Sequence, residues 1–433
     1  KMLGKETRMA IAQREYTDPD TLELLGIEFT QSTGLPGMDQ DTRIRRDGKR
    51  LVIETLAGGQ VTGSRAIPYD RAAMQSTLAA SQRVRDALDP ATGGAFTSSI
   101  FDPTALRPVH TELVYSPLTE IYYNGVAEQA YEVKSTVKEL GVGGVSYETA
   151  DGRVLKSTLM AGMFELRLEE EAIAKSAGAV PDLMAASRVA ITGQPIPEQP
   201  VALLEVVPVI DQDPTALFLP TERQRFETRQ RRRVLVVDML GPGQGPEVRL
   251  SAADRKALLG GDLYVQPGDP AIQRQARAIV KGLPTGNERQ RAFAITYWVY
   301  ATLEKAIVPT TPNAVQVLQT KRGDCGEHAV LTAALARAVG IPAKVNYGLV
   351  YTPQYGEGFF YHAWNSLLVE GTWLEVDSAL GMFPADATHI KIGEGDDPGS
   401  ALGIMQLYGK LGLEVQRAVP GEFESGYHMV QRP

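Results

Sequence analysis

The sequence predicts an α+β protein: mainly antiparallel β domains, then a C-terminal core in which a helix packs on an antiparallel sheet. Three observations predict it. Short runs separated by turn dipeptides fill residues 1–191, the pattern turns helical from about Pro270, and a strand pair around Glu370-Gly371 follows an alanine-rich helix. At ~100–200 residues per domain, the 433 residues make two to four domains. We divide them into a β-rich domain at 1–191, a smaller β-rich block and linker at 192–265, a helix-plus-sheet domain at 266–395, and a helix/strand extension at 396–433.

In the first domain, Asp47-Gly48 separates Thr42–Arg46 from Leu51–Leu56. Asn124-Gly125 separates Glu112–Tyr123 from Val126–Val137, and Asp151-Gly152 separates Val145–Thr149 from Val154–Leu159. Each dipeptide accepts positive φ, which is the signature of a hairpin. A helical insert is expected near Ala72–Leu88. Phe164, Leu166 and Leu168 alternate with Glu165, Arg167 and Glu169, predicting a strand with one buried face. Together these runs predict a curved sheet or sandwich.

Thr192–Pro200 contains Pro195, Pro197 and Pro200 and reads as a linker. Val201–Ile210, Val234–Leu240 and Val248–Leu250 read as strands, with Gly241–Pro246 a loop. Arg223–Arg233 reads as a solvated basic face, with a docking patch for an acidic partner as the other reading. Helices are expected at Ala271–Lys281 and Glu288–Lys305, the latter with Phe293, Tyr297 and Trp298 on its buried stripe. Thr311-Pro312 is the expected start of a short helix over Asn313–Gln319. The tail is expected to add a helix at Ala401–Leu411 and a last strand.

Bulk properties exclude some classes. The chain is 43% hydrophobic and 22% charged, ordinary for a globular protein. It lacks an apolar run of the ~18–20 residues that a membrane helix needs. A net charge of -8 lacks the basic excess of a nucleic-acid binder. One cysteine excludes intramolecular disulfides. The first residue is Lys1, which leads us to expect a processed chain.

Chemistry concentrates between Thr320 and Ser378. Gly323 precedes Cys325, and an alanine-rich helix follows until Gly340 and Pro342 end it. Lys344–Tyr351 reads as a strand. A thiol at a helix N-terminus meets unpaired amides and the positive end of the dipole, which favour a thiolate nucleophile. The same amides can hold an oxyanion. The competing reading of Cys325 is a small buried hydrophobe. Farther on, Ala363–Val369 and Thr372–Val376 form a strand pair that His362 opens and Asp377 closes. The start of one antiparallel strand lies beside the end of the next, so His362 and Asp377 should be neighbours. A carboxylate beside an imidazole fixes the tautomer that can take a proton from a thiol.

Four features resemble the transglutaminase-like superfamily: the glycine turn into Cys325, the L-x-x-A-L-x-R-x-x-G-I-P-A run after it, H-A-W around His362, and W-x-x-V-D ending at Asp377. The resemblance covers Ala271–Ile392. It implies a papain-like core, with a cysteine helix packed on an antiparallel sheet. It implies a Cys325-His362-Asp377 triad and a reaction through a thioester made from a glutamine or peptide carbonyl. It also implies an upstream donor completing an oxyanion hole; Gln319 is one candidate, with a surface glutamine the favoured reading of that residue. Asp324 would raise the thiol pKa if close, or cap the helix.

His328 shares a helix face with Cys325 and reads as packing or support for the site. His389 and Trp364 are further candidates for lining it, as are Tyr355, Phe359, Phe360 and Tyr361, with strand-edge core as the other reading of these aromatics. A zinc site from Cys325, His328, His362 and His389 is conceivable by ligand type, but its spacing matches no zinc signature. Gly393–Asp397 reads as a surface turn rather than a calcium loop, and no cofactor is expected. The expected function is thiol-dependent acyl transfer on protein or peptide amides, with hydrolysis favoured over crosslinking. The alternative is a β-domain binding or scaffold protein with a non-essential catalytic domain. The missing methionine, the β-rich start and the resemblance lead us to expect an exported, periplasmic or cell-surface protein.

Overall fold

The structure is a computed structural model that describes residues 10–32, 40–57, 59–103, 107–138, 142–159, 164–174, 187–198, 200–262, 264–306, 313–353, 356–396, 404, 407 and 409–422. These fall into two compact units, one within Glu6–Val180 and the other within Pro181–Pro433. The fold is α+β.

The first unit begins with a meander of five antiparallel strands: β1 (Ala10–Thr17), β2 (Leu24–Ser32), β3 (Gln40–Asp47), β4 (Arg50–Ala57) and β5 (Gln60–Pro68). Helix α1 (Thr77–Ala87) follows. Ser76 caps it, accepting from the Ala79 N–H while its own hydroxyl donates to the Leu22 carbonyl. A seven-stranded sheet comes next: β6 (Gly94–Asp102), β7 (Arg107–Tyr115), β8 (Thr119–Tyr123), β9 (Val126–Val137), β10 (Val142–Thr149), β11 (Val154–Leu159) and β12 (Phe164–Arg167). A single helical turn, α2 (Glu171–Ala174), ends the described part. Leu24, Ile27, Ile44, Leu51 and Ile53 pack with Met74 and Phe101 as the core.

The three expected hairpins form, with positive φ at Gly48, Asn124, Gly125 and Gly152. Two expectations need correction. Glu112–Tyr123 is not one strand but the end of β7 and all of β8, each pairing with β9. Leu166 and Leu168 are 58% and 45% exposed, so the alternation around Phe164 does not mark a buried face. The reason is position: β12 is the last strand of its sheet, bonded on one edge only. The Phe164 side chain lies outside the described residues.

The second unit holds two sheets and a helical layer. Strands β13 (Ala190–Gly193), β14 (Val201–Val209), β15 (Gln224–Arg229), β16 (Arg232–Asp238) and the distant β23 (Gly412–Pro420) form one sheet in the order β13-β23-β14-β16-β15. Thus Thr192 and Gly193 are strand, not linker, paired in parallel with β23. The arginine-rich segment is a hairpin whose turn residues Gln230 and Arg231 both have positive φ. Three of its arginines meet carboxylates: Arg225 pairs with Asp238, Arg229 with Glu205 and Glu227, and Arg232 with Glu414. Val248–Leu250 forms no strand.

Helices α3 (Ala252–Leu259), α4 (Pro270–Ile279), α5 (Glu288–Thr302) and α6 (Ala314–Thr320) lead to α7 (Cys325–Ala338). The two-residue strands β17 (Glu304–Lys305) and β18 (Arg322–Gly323) pair in parallel just before it. Strands β19 (Ala343–Tyr351), β20 (Phe359–Val369), β21 (Thr372–Val376) and β22 (Ile390–Glu394) form the second sheet, ordered β21-β20-β19-β22. Helix α7 is buried along nearly its whole length, which explains why its sequence is small and apolar all round. The buried residues of α5 are Ala292, Ile295, Thr296, Val299 and Tyr300. Tyr297 is 48% exposed, and Phe293 and Trp298 are half-buried, so the expected stripe is displaced by about one position. Asn313 caps α6 in a capping box with Gln316. The expected Thr311-Pro312 start lies outside the described residues, as does most of the Ala401–Leu411 helix.

Candidate active site

Cys325 is the first residue of α7. A short, tight approach puts it there. Lys321 takes a left-handed φ of 52° at the end of α6, and β18 then pairs with β17. Asp324 caps the helix, its side chain accepting from Gly326 N–H and the Glu327 amide, while Glu327 reaches back to the Asp324 N–H at 2.9 Å. This is a capping box with two carboxylates beside one thiol. Burial pushes the Cys325 thiol well above its ordinary value, and the Asp324 charge pushes it further. A hydrogen bond from the Ala363 amide opposes both. Burial and the neighbouring carboxylate thus work against the dipole-stabilised thiolate that the sequence suggests. Burial and the Asp324 charge likewise push Glu327 well above the ordinary carboxyl value.

The Cys325 helix packs against β20, the strand that carries His362. Strands β20 and β21 turn at Glu370-Gly371, where φ is 53° and 76°, and register pairs Asn365 with Val376. Asp377 follows directly and bridges to Met382. His362 Nε2 lies 2.7 Å from Asp377 Oδ2. The other carboxylate oxygen accepts the amides of Ala379 at 2.7 Å and Leu380 at 2.9 Å. Asp377 is fully buried. Burial alone would raise its pKa, but the His362 and His389 rings beside it hold it well below the usual carboxylate range. With Nε2 committed to Asp377, His362 has its Nδ1 available for a proton from a thiol.

His389 is the second ring on Asp377, its Nε2 3.0 Å from the same oxygen. Its Nδ1 lies 3.3 Å from Asp386 Oδ1. Burial would lower its pKa; hydrogen bonds to Asp377 and Asp386 outweigh that and raise it to about 9. Trp364 stacks on His362 at 6.3 Å and meets His389 edge-on at 5.2 Å. Its indole N–H is spent on Glu375 Oε2 at 2.7 Å. Trp364 is thus a buried wall of the site rather than an oxyanion donor.

The remaining candidates separate. Gln319 is exposed on α6. His328 is buried, and its Nδ1 is 2.6 Å from the Asp324 carbonyl, so it braces the helix start. Burial lowers its pKa. Phe359 and Phe360 are buried core residues, Tyr361 is half-buried, and Tyr355 lies outside the described residues. The four-residue zinc set is not assembled. Among the described residues, the cluster of metal-ligand type is His362, Asp377 and His389, with atoms within 4.8 Å of one another. Both rings spend their facing nitrogens on one Asp377 oxygen, which makes the cluster a hydrogen-bonded chain. Gly393 and Glu394 lie in β22, and Glu394 and Asp396 pair with Lys344, Lys391 and Arg337, not with a calcium loop's geometry. Among the described residues, no helix is long and apolar enough to cross a membrane.

Sequence reasoning missed Asp386, Glu375, Glu327 and Arg223. Asp386 carried a signal, its three-residue spacing from His389. Arg223 carried none, because its partners lie more than 150 residues away.

The chain matches no curated protein. Among solved structures it is similar to a protein from Cytophaga hutchinsonii provisionally named a cysteine protease, at 16% identity and a TM-score of 0.33, over 52% of this chain and 90% of that one. It is also similar to a β-barrel-like protein of a domain of unknown function from Brucella abortus, at 12% identity and a TM-score of 0.28, over 37% and 70%. A third is the periplasmic domain of TgpA from Pseudomonas aeruginosa bound to ethylmercury, at 17% identity and a TM-score of 0.24, over 41% and 89%. Residues 274–378 match the model of the Transglutaminase-like superfamily, a span that contains Cys325, His362 and Asp377. This part of the chain is a domain of the transglutaminase-like superfamily.

Proposed function

We propose that the protein is a thiol acyl-transfer enzyme acting on protein or peptide amides, with Cys325 as nucleophile, His362 as base and Asp377 as the residue that orients the base. The observation that carries this reading is the 2.7 Å contact of His362 Nε2 with buried Asp377, on the strand against which the Cys325 helix packs. His362 Nδ1 takes the thiol proton as sulfur attacks the amide carbon. The C–N bond then breaks, the amine leaves with that proton, and a thioester remains. Water attacks the thioester next, giving up a proton to His362, and the carboxylic acid leaves as the thiol re-forms. The raised thiol pKa favours proton transfer during attack over a standing ion pair.

Hydrolysis is the favoured outcome. Crosslinking requires that water, which is always present, be kept from the thioester. The test is mass spectrometry of a glutamine-containing peptide library incubated with the protein and a primary amine. Cleaved or deamidated peptides support hydrolysis; amine adducts support crosslinking. Peptides unchanged by both wild type and Cys325→Ala would overturn the enzyme reading and favour the binding-module alternative. The expected exported setting belongs to the same reading, and fractionation of cells making the full-length protein tests it.

A further inference from the structure

Asp386, His389 and Asp377 form a buried chain that ends on His362. Asp377 receives four donors: two imidazole N–H groups on Oδ2 and two amides on Oδ1. His389 bridges two carboxylates, one at each ring nitrogen, with no exposed side-chain surface. A neutral ring would turn a lone pair toward one of those oxygens, so the geometry favours an imidazolium.

Asp386 is anchored from outside the matched domain. Its Oδ2 accepts the Val201 amide at 3.0 Å, and the Ala387 amide returns to the Val201 carbonyl at 2.8 Å. Arg223 donates to the carbonyls of Ala385 and Asp386. Gln224 exchanges two hydrogen bonds with the backbone of Lys391, at 2.7 and 2.8 Å. Val201 opens β14, and Gln224 opens β15. The segment that bears His389 is therefore sewn to the accessory sheet on both sides of the ring.

We infer that His389 is a positioning residue, which fixes Asp377 against His362 and keeps it ionised, and that Asp386 and the accessory sheet serve as its mount. This rests on the triad reading above. With His389 in place the carboxylate cannot rotate away from His362, and protonating it would put a proton between two donor rings. The accessory sheet is then a working part of the site, although it lies outside the matched residues.

The test is iodoacetamide labelling of the single cysteine, followed by intact mass from pH 5 to 9, in wild type, His389→Gln, Asp386→Asn and His362→Ala. His389→Gln is expected to move the acid limb of labelling up by about one pH unit, with Asp386→Asn moving it the same way. The other charged groups near this chain are Asp324 and Glu327 beside the thiol, Glu375 under Trp364, and Arg223 beyond Asp386. None changes in the His389 variant, so the shift reports the ring. A His389→Gln profile that superimposes on wild type, while His362→Ala labels slowly, overturns the inference and spares the triad. Labelling unaffected by His362→Ala overturns both. A second measurement needs no folded variant. In the ¹⁵N-histidine NMR spectrum of the wild-type protein, one of the five rings should stay doubly protonated through neutral pH. If every ring is neutral at pH 7, the inference falls.

Discussion

Glu327 lies across Gly323 so closely that a β-carbon at 323 would stand 2.3 Å from the Glu327 Cβ and 2.6 Å from its Cγ. Gly323 is buried, and the Glu327 carboxyl reaches the Asp324 amide over it. The glycine before the nucleophile is thus a close-approach residue that lets the capping box form. Gly323→Ala should destabilise the second unit by on the order of 2 kcal/mol through overpacking. It should also disturb the thiol. Urea unfolding followed by near-UV circular dichroism, beside iodoacetamide labelling, checks both. An unchanged midpoint would mean that the Glu327 side chain simply moves aside.

Asp324 holds the helix start and also raises the thiol. Asparagine caps helices as well as aspartate does but carries no charge. Removing a negative neighbour favours the thiolate, so Asp324→Asn should lower the thiol pKa and speed labelling at pH 7 by about threefold or more. The labelling rate against pH gives the answer directly. A slower variant would mean that the cap, not the charge, dominates at this position.

The strand pair around Glu370-Gly371 was legible because both ends of its geometry are local. A two-residue turn fixes the register, and register fixes which residues meet. Cys325 was legible because a buried helix must be small and apolar. The pKa direction was only partly legible: the carboxylate of Asp324 is one residue away in sequence, but the dipole argument ignores burial. Strand β15 was hidden for a different reason. It is an edge strand whose outward residues Arg225, Glu227 and Arg229 carry charge, the composition that keeps an edge from pairing with another chain. The mount of His389 was invisible because Arg223 and Val201 meet Asp386 only after the chain closes a loop of more than 160 residues.

Asp377→Asn keeps the shape of the site and removes the charge. The amides of Ala379 and Leu380 still have an oxygen to bond, but the other atom becomes an NH₂ facing two ring nitrogens. His362 is then turned from its working tautomer. In a serine triad the equivalent change lowers turnover by about 10⁴, and a loss on the order of 10³ is expected in amide hydrolysis here. It should appear in kcat more than in KM, because Asp377 is buried and touches no substrate. A variant that loses only KM would point to a site that has moved.

His389 also makes stability depend on pH in a direction opposite to the acid effect of Asp377. Its folded pKa is raised to about 9 from an ordinary 6.5. A raised group contributes its full stability below the unfolded value and loses it as pH rises through the folded one. The second unit should therefore weaken between about pH 6.5 and 9, by on the order of 3 kcal/mol from this ring. Asp377, held low, acts at the other end: its contribution is present above its unfolded pKa and is lost as pH falls through the folded one. His389→Gln should flatten the alkaline slope and leave the acid slope, apart from a weaker Asp377 contribution. Urea midpoints for wild type and variant at pH 6, 7.5 and 9 measure both slopes. Parallel curves at pH 6 and 9 would mean that the ring carries no extra proton in the folded protein, and Asp377 would then depend on His362 and its two amides alone.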